Sequence, residues 1–139
     1  MKAAVRDEKP QTFDFLGLTH YCGRDRYGKR FRMKRITSRK KFKAKLHAMK
    51  DWLKKSRTEQ TQGLMKTFAA KLRGHIAYYG VTDNIWGIGR YAFEARGLLF
   101  KWLNRRGKRG YLTWEKFKRF LQKYPLPIPR ITVNLLPSK

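Results

Sequence analysis

The stretch TSRKKFKAKLHAMKDWLKK, Thr37 to Lys55, decides how this chain is read, because one helix carries both a core stripe and a charge problem. Phe42, Leu46, Met49 and Leu53 recur at i, i+4, i+7 and i+11, the spacing of one buried helical face, and Thr37-Ser38 offers an N-cap ahead of it. The other face carries Lys40, Lys43, His47, Lys50 and Lys54. Like charges at that spacing cost on the order of a few tenths of a kcal/mol per pair. The helix therefore gains nothing from its outer face unless a polyanion lies against it.

Downstream, the spacing predicts a second helix from Gly63 to Tyr79, with Met65, Phe68, Ala69, Leu72, Ile76 and Tyr79 inward and Gly80 as a left-handed stop. A third helix is predicted from Asn84 to Arg106 on the stripe Ile88, Ala92, Ala95, Leu99 and Trp102. Gly87, Gly89 and Gly97 either weaken it or permit close packing. After the basic break Gly107 to Gly110, Thr113 caps a short fourth helix, with Glu115 in its first turn and Lys123 in its last, as the helix dipole prefers. Pro125 to Arg130 must run extended.

Upstream, FDFLGLTHYC (Phe13 to Cys22), the turn residues Gly23 to Gly28 and then KRFRMKRI read as a β-hairpin. Phe31 and Met33 alternate with Arg30, Arg32 and Lys34, so the apolar pair is expected to bury and the bases to face solvent. Gly17 inside the first strand reads as a bulge. The fold expected is mainly α: an irregular lead-in over 1–12, a hairpin over 13–36, helices over 37–124 and a Pro-rich extended tail over 125–139.

With 139 residues and 41% apolar composition, the chain supports one domain with one core. Lys and Arg number 35 against nine Asp and Glu, for a formal charge of +26 and a pI near 10.9. Nucleic acid is the first partner such a balance implies. A membrane surface fits less well, because the bases run from Lys2 to Lys139 instead of gathering in one amphipathic segment. No apolar run nears the ~20 residues of a membrane span and no signal-peptide stretch opens the chain, so a cytoplasmic location is expected. The single Cys22 needs no oxidising compartment.

A search for catalytic groups finds none. Metal-dependent polymerase or nuclease chemistry needs carboxylates that converge, and here Asp7 and Glu8 sit in the lead-in while Asp14, Asp25, Asp51, Glu59, Asp83, Glu94 and Glu115 are isolated. His20 and Cys22 lack the further ligands that zinc needs and the third group that orients a nucleophile's base. A strand thiol packed on the core is the simpler reading of Cys22. Gly23 and Gly28 are turn glycines, since no helix and no Gly-Lys-Ser/Thr follows them. No cofactor is called for.

What stands out is base interleaved with aromatic. Arg39, Lys40, Lys41, Lys43, Lys45 and Lys50 on the first helix are candidate phosphate contacts, as are Arg73 and His75 before Tyr78-Tyr79, and Lys101, Arg105, Arg106, Lys108 and Arg109. Tyr78 and Tyr79 point to different sides of a helix, so at most one is buried and the other can stack on RNA. Trp52, Trp86, Trp102 and Trp114 are further stacking candidates, although Trp102 lies on the core stripe and Trp114 is placed to dock the fourth helix.

Several motifs stand in order: FDFLGLTHY at Phe13 to Tyr21, TSRKKFKAKL at Thr37 to Leu46, LRGHIAYYGVTDN at Leu72 to Asn84, LLFKWLNRR at Leu98 to Arg106, and YLTWEKFKRFL with KYPLPIPRI at Tyr111 to Ile131. Together they resemble group II intron-encoded reverse transcriptase/maturases, over nearly the whole chain from Phe13 onward. The resemblance implies that Phe15 to Leu18 belong to the last hairpin of a palm, and that Ser38 to Arg106 form the three-helix thumb, also called the maturase-specific or X domain. It further implies intron RNA and template-primer as partners. That family's Tyr-x-Asp-Asp metal motif and its Cys-rich His-Asn-His endonuclease are both absent from this sequence. The expectation is therefore a remnant, split or truncated piece that does not polymerise alone and works, if at all in synthesis, beside a separately encoded fingers/palm polypeptide.

Overall fold

A computed structural model of the chain describes residues 12–24, 28, 30–106 and 112–135. Residues 1–11 of the lead-in, Asp25, the basic break with Lys108 and Arg109, and the last four residues lie outside them. Three strands come first: β1 (Phe13–Phe15), β2 (Leu18–Arg24) and β3 (Phe31–Thr37), antiparallel in the order β1-β2-β3. Four helices follow: α1 (Arg39–Lys55), α2 (Thr61–Tyr79), α3 (Ile85–Arg106) and α4 (Trp114–Lys123). The mainly α class with an N-terminal hairpin holds, with one strand more than expected.

The extra strand arises because the FDFLGLTHYC segment turns back at Leu16-Gly17 instead of bulging there. Both residues have positive φ, 55° and 82°, the backbone of a two-residue hairpin turn. Leucine is disfavoured in that region, which is why the sequence alone does not announce a turn. Tertiary bonds hold it: Tyr78 Oη donates to the Leu16 carbonyl at 3.1 Å and the Ser38 amide donates to the Gly17 carbonyl at 2.9 Å. A Cβ on Gly17 would stand 2.8 Å from Tyr79 Oη, so glycine is needed for space as well as for φ.

The burial expected for β3 is reversed. Phe31 and Met33 are exposed, whereas Arg32 and Lys34 are half-buried. Arg32 grips the Asp83 carboxylate with both guanidinium nitrogens, Nη1 to Oδ2 at 3.0 Å, and Arg35 approaches the same group at 3.9 Å. The two-residue period puts Phe31 and Met33 on the side of the strand opposite Arg32, while Arg35, of their parity, reaches Asp83 from nearer the end of β3. Phe31 and Met33 share that face with Phe13, Phe15 and His20, since Phe13 pairs with His20, Cys22 with Met33 and Arg24 with Phe31. Phe13 stacks on the His20 ring at 4.8 Å. Cys22 is half-buried on this face and outside the core cluster, contrary to the expected packing on the core.

The helices form as their stripes predict. Ser38 caps α1, its Oγ accepting from the Lys41 amide at 3.1 Å, and Thr113 caps α4 in the same way. Met49 and Leu53 of α1, Leu64 to Ile76 of α2, Ile88, Ala95, Leu99 and Trp102 of α3, and Phe117 of α4 build one core that Leu18 of β2 also joins. Sheet and helices are thus one packed unit. Both α1 and α2 pack on α3 more closely than on each other, which leaves a cleft between them. Asn104 closes the α3–α4 connection, its Oδ1 accepting from the Leu112 amide at 2.7 Å.

Two glycines behave differently from expectation. Gly80 ends α2 at φ −79°, not in the left-handed region. It is small because the tail runs beside it: a Cβ there would lie 2.9 Å from the Arg130 carbonyl and closer still to that of Ile76. Thr132 and Val133 donate to the Gly80 carbonyl at 2.7 and 2.9 Å, so the extended tail is strapped to the α2–α3 connection. Gly87, at the start of α3, lies against Asn84. Asn84 is fully buried, with Oδ1 accepting from the Thr37 amide at 2.8 Å and Nδ2 donating to Thr37 Oγ1 at 2.8 Å and the Tyr79 carbonyl at 2.9 Å. A Cβ on Gly87 would stand 2.8 Å from Thr37 Oγ1 and collide with Asn84 Oδ1, whereas Gly89 faces open space.

Asn84→Ala takes the acceptor from the buried Thr37 amide, at about 1–3 kcal/mol, and removes the further bonds to Thr37 Oγ1 and to the Tyr79 carbonyl, which keeps the Val81 amide, at about 1 kcal/mol each. We expect a loss of about 3 kcal/mol or more, and a comparable loss for Gly87→Ala, whereas Gly89→Ala gains up to about 1 kcal/mol from helix propensity. Urea midpoints of the three variants check this. Equal behaviour of Gly87→Ala and Gly89→Ala would refute the assigned packing.

Candidate nucleic-acid interface

Helical geometry sends the cations of α1 in two directions. Lys40, Lys43 and Lys50 share one side of the core stripe, while Lys41 and Lys45 stand on the other, one turn apart. All are exposed, as is Arg39. The second group borders the cleft between α1 and α2, a space of about 530 Å³. Lys41, Lys45, Ala48 and Met49 form its α1 wall, and Lys71, Gly74, His75, Tyr78 and Tyr79 form its α2 wall. Tyr91 of α3 completes the lining.

The floor is an aromatic stack. The His75 ring lies 3.6 Å from that of Tyr91, within 9° of parallel, and 4.5 Å from that of Tyr79. Burial, and then the nearby Lys45 charge, pull the His75 imidazole down to about 4, so it is neutral at pH 7. Burial likewise pushes the Tyr91 hydroxyl up to about 12. The cleft therefore combines a cationic rim with a neutral aromatic interior.

Several sequence-derived candidates take other places. His75 is only 7% exposed and uncharged, so it does not meet phosphates as a surface cation. Of the two tyrosines, Tyr79 is buried and Tyr78 is 56% exposed, which makes Tyr78 the one open to stacking. Arg73 is exposed on α2 but is not part of the cleft lining. Lys101 and Arg105 stand in the last turns of α3, about 15 to 21 Å along the helix from Tyr91, and Arg105 covers the Trp102 ring at 5.0 Å. Arg106 closes α3, and its side chain lies outside the described residues together with Lys108 and Arg109.

Trp102 is buried, as its place on the stripe predicts. Trp52 is half-buried on Phe68, and Trp114 sets its edge on Phe100 at 5.3 Å, holding α4 to α3. Trp86 is the most exposed of the four, at 73%. Lys71 and Tyr91 are cleft residues that the sequence reading misses. The i, i+4, i+7 spacing of Lys71, His75 and Tyr78 was the available signal for the first; for Tyr91 there was none, because it belongs to another helix.

Among the described residues no group of three His, Cys, Asp or Glu side chains is arranged to hold a metal ion, and no helix is long and apolar enough to cross a membrane. Comparisons with protein-family models, with curated proteins and with solved structures find no match to this chain.

The depressed His75 value has a consequence for stability. In the fold the neutral ring is favoured, while the unfolded chain takes up a proton near pH 6.5. The contribution is therefore complete above pH 6.5 and is lost as pH falls toward 4, by about 3 kcal/mol. His75→Phe keeps a ring against Tyr91 but cannot titrate. Urea unfolding at pH 7 and pH 4.5 should show a larger acid loss for the native chain than for this variant; equal losses would remove the assignment.

Proposed function

We propose that this chain is an RNA-binding module of the maturase, or thumb, kind found in group II intron-encoded reverse transcriptases. In this reading it grips folded intron RNA to assist splicing, and grips template and primer when joined to a polymerase. The single observation that carries it is the set of exposed cations on both sides of α1, which no described acid neutralises between Arg39 and Lys50, on a chain of net charge +26. Phosphates set against them relieve the like-charge cost and release counterions. The order of the motifs from Phe13 to Ile131, and a helical unit of three long helices after a small sheet, support the family reading. Cations on helix faces recognise backbone and shape, so preference would come from RNA architecture more than from base edges.

Filter binding of a folded group II intron RNA between 50 and 200 mM salt tests this. Neutralising about six phosphates predicts a log–log slope of about −4 or steeper. A slope near zero rejects the reading. Competition by duplex DNA as effective as by the intron would favour instead a general basic nucleic-acid-binding protein.

A second reading is favoured by the exposed apolar side chains on the sheet face that carries Leu18, which is itself buried. Phe13, Phe15, Phe31 and Met33 are exposed together there, and an apolar patch of that kind marks an interaction surface. Under this reading the chain is a split or truncated piece of an RNA-directed DNA polymerase, and the face packs on a separately encoded fingers/palm polypeptide. Mixing the two polypeptides should then restore primer extension, and Phe15→Ser with Phe31→Ser should abolish it. No extension from the mixture counts against this reading and leaves the RNA-binding one intact.

A further inference from the structure

The cleft between α1 and α2 has a composition that the electrostatic grip does not require. Phosphate binding on a convex helix face needs only lysines. Here three lysines from two helices, Lys41, Lys45 and Lys71, surround a concave space whose interior is aromatic and neutral. Its volume of about 530 Å³ falls among ligand pockets, which span about 300 to 1,000 Å³. His75 is more than nine-tenths buried in its lining, and its Nε2 atom has no hydrogen-bond partner. A buried polar atom left so is costly unless a ligand or water satisfies it. Tyr78 holds its exposed ring in the lining and is braced through its hydroxyl to the Leu16 carbonyl.

The ligand that matches has a flat π-face, polar edges and an adjoining anion. An acidic peptide offers the anion without the flat face. A duplex offers phosphates but keeps its bases stacked and out of reach. We propose that the α1–α2 cleft receives one unpaired nucleotide of a bound RNA strand, its base lying against Tyr78 and over the His75–Tyr91 stack, and its flanking phosphates on Lys41, Lys45 and Lys71. The cleft then serves as an anchor for a single-stranded loop or bulge, in addition to the shape-dependent grip. This rests on the RNA-binding reading above and names the element of RNA that the module takes.

Gly74 makes a clean test possible, because it lines the cleft and a Cβ there meets nothing within 4 Å. Gly74→Leu fills the space, leaves the charge unchanged and favours the helix. Two probes are used with the full chain: a single-stranded RNA carrying one 2-aminopurine, and a blunt RNA duplex. The native chain should quench the 2-aminopurine fluorescence. Gly74→Leu should lose that quenching and about tenfold in single-strand affinity, the effect of about one stacked base, with duplex affinity held within twofold. Lys71→Met should weaken the single strand more than Lys43→Met, which removes the same charge outside the cleft. Unchanged quenching in Gly74→Leu, parallel losses on both probes, or equal effects of the two lysine variants would each overturn the proposal. A native chain that binds duplex but does not quench also overturns it and leaves the module reading standing. One that binds neither probe overturns both.

Discussion

Asn84 is the constraint on which the other elements depend. Its buried side chain joins the end of β3, through Thr37, to the end of α2, through the Tyr79 carbonyl, at the point where α3 begins. A carboxamide suits this place because it offers an acceptor and two donors at once, and each has a partner. An aspartate would lose the donors, and an apolar residue would leave the buried Thr37 amide without its acceptor. Gly87 exists to make room for it, and neighbouring Asp83, at φ 78°, holds Arg32 and Arg35. The same short connection also receives the tail, through the Gly80 carbonyl and Thr82. Sheet, bundle and tail therefore meet within five residues of chain.

That arrangement explains why the charge can be tolerated. The core and the node draw their stability from apolar burial and satisfied hydrogen bonds, and neither needs the lysines of α1. The cations are left free to face outward, with the aromatic floor of the cleft between them. Lys45 shows how close the two systems come: its charge helps keep the His75 imidazole neutral, so the interior stays apolar beneath a cationic rim.

The segments that carry the resemblance to intron-encoded reverse transcriptases fall largely on this framework. Gly17 of FDFLGLTHY abuts Tyr79 of LRGHIAYYGVTDN, and Thr37 of TSRKKFKAKL is bound by Asn84 at the end of that same segment. Three motifs distant in sequence are thus brought into contact with one another. The resemblance speaks first to how the chain folds. The functional reading rests on the exposed cations and the cleft, which draw on the same segments: Lys41 and Lys45 stand in TSRKKFKAKL, and His75, Tyr78 and Tyr79 in LRGHIAYYGVTDN.

Helix positions, both side-chain caps and the core stripe of each helix could be read from the sequence, because periodicity and capping are local properties. Trp102 and the division between Tyr78 and Tyr79 were legible for the same reason. Only the tertiary structure decided the Leu16-Gly17 turn, since leucine at positive φ is held there by bonds from Tyr78 and Ser38 across the chain. It likewise reversed the two faces of β3, because the Arg32–Asp83 pair joins residues 51 apart. It separated Gly87, which must be glycine, from Gly89, which need not. Finally, it turned His75 from a surface cation into a neutral floor and set Lys71 and Tyr91 beside it: burial and the meeting of three helices are collective, and no single stretch of sequence contains them.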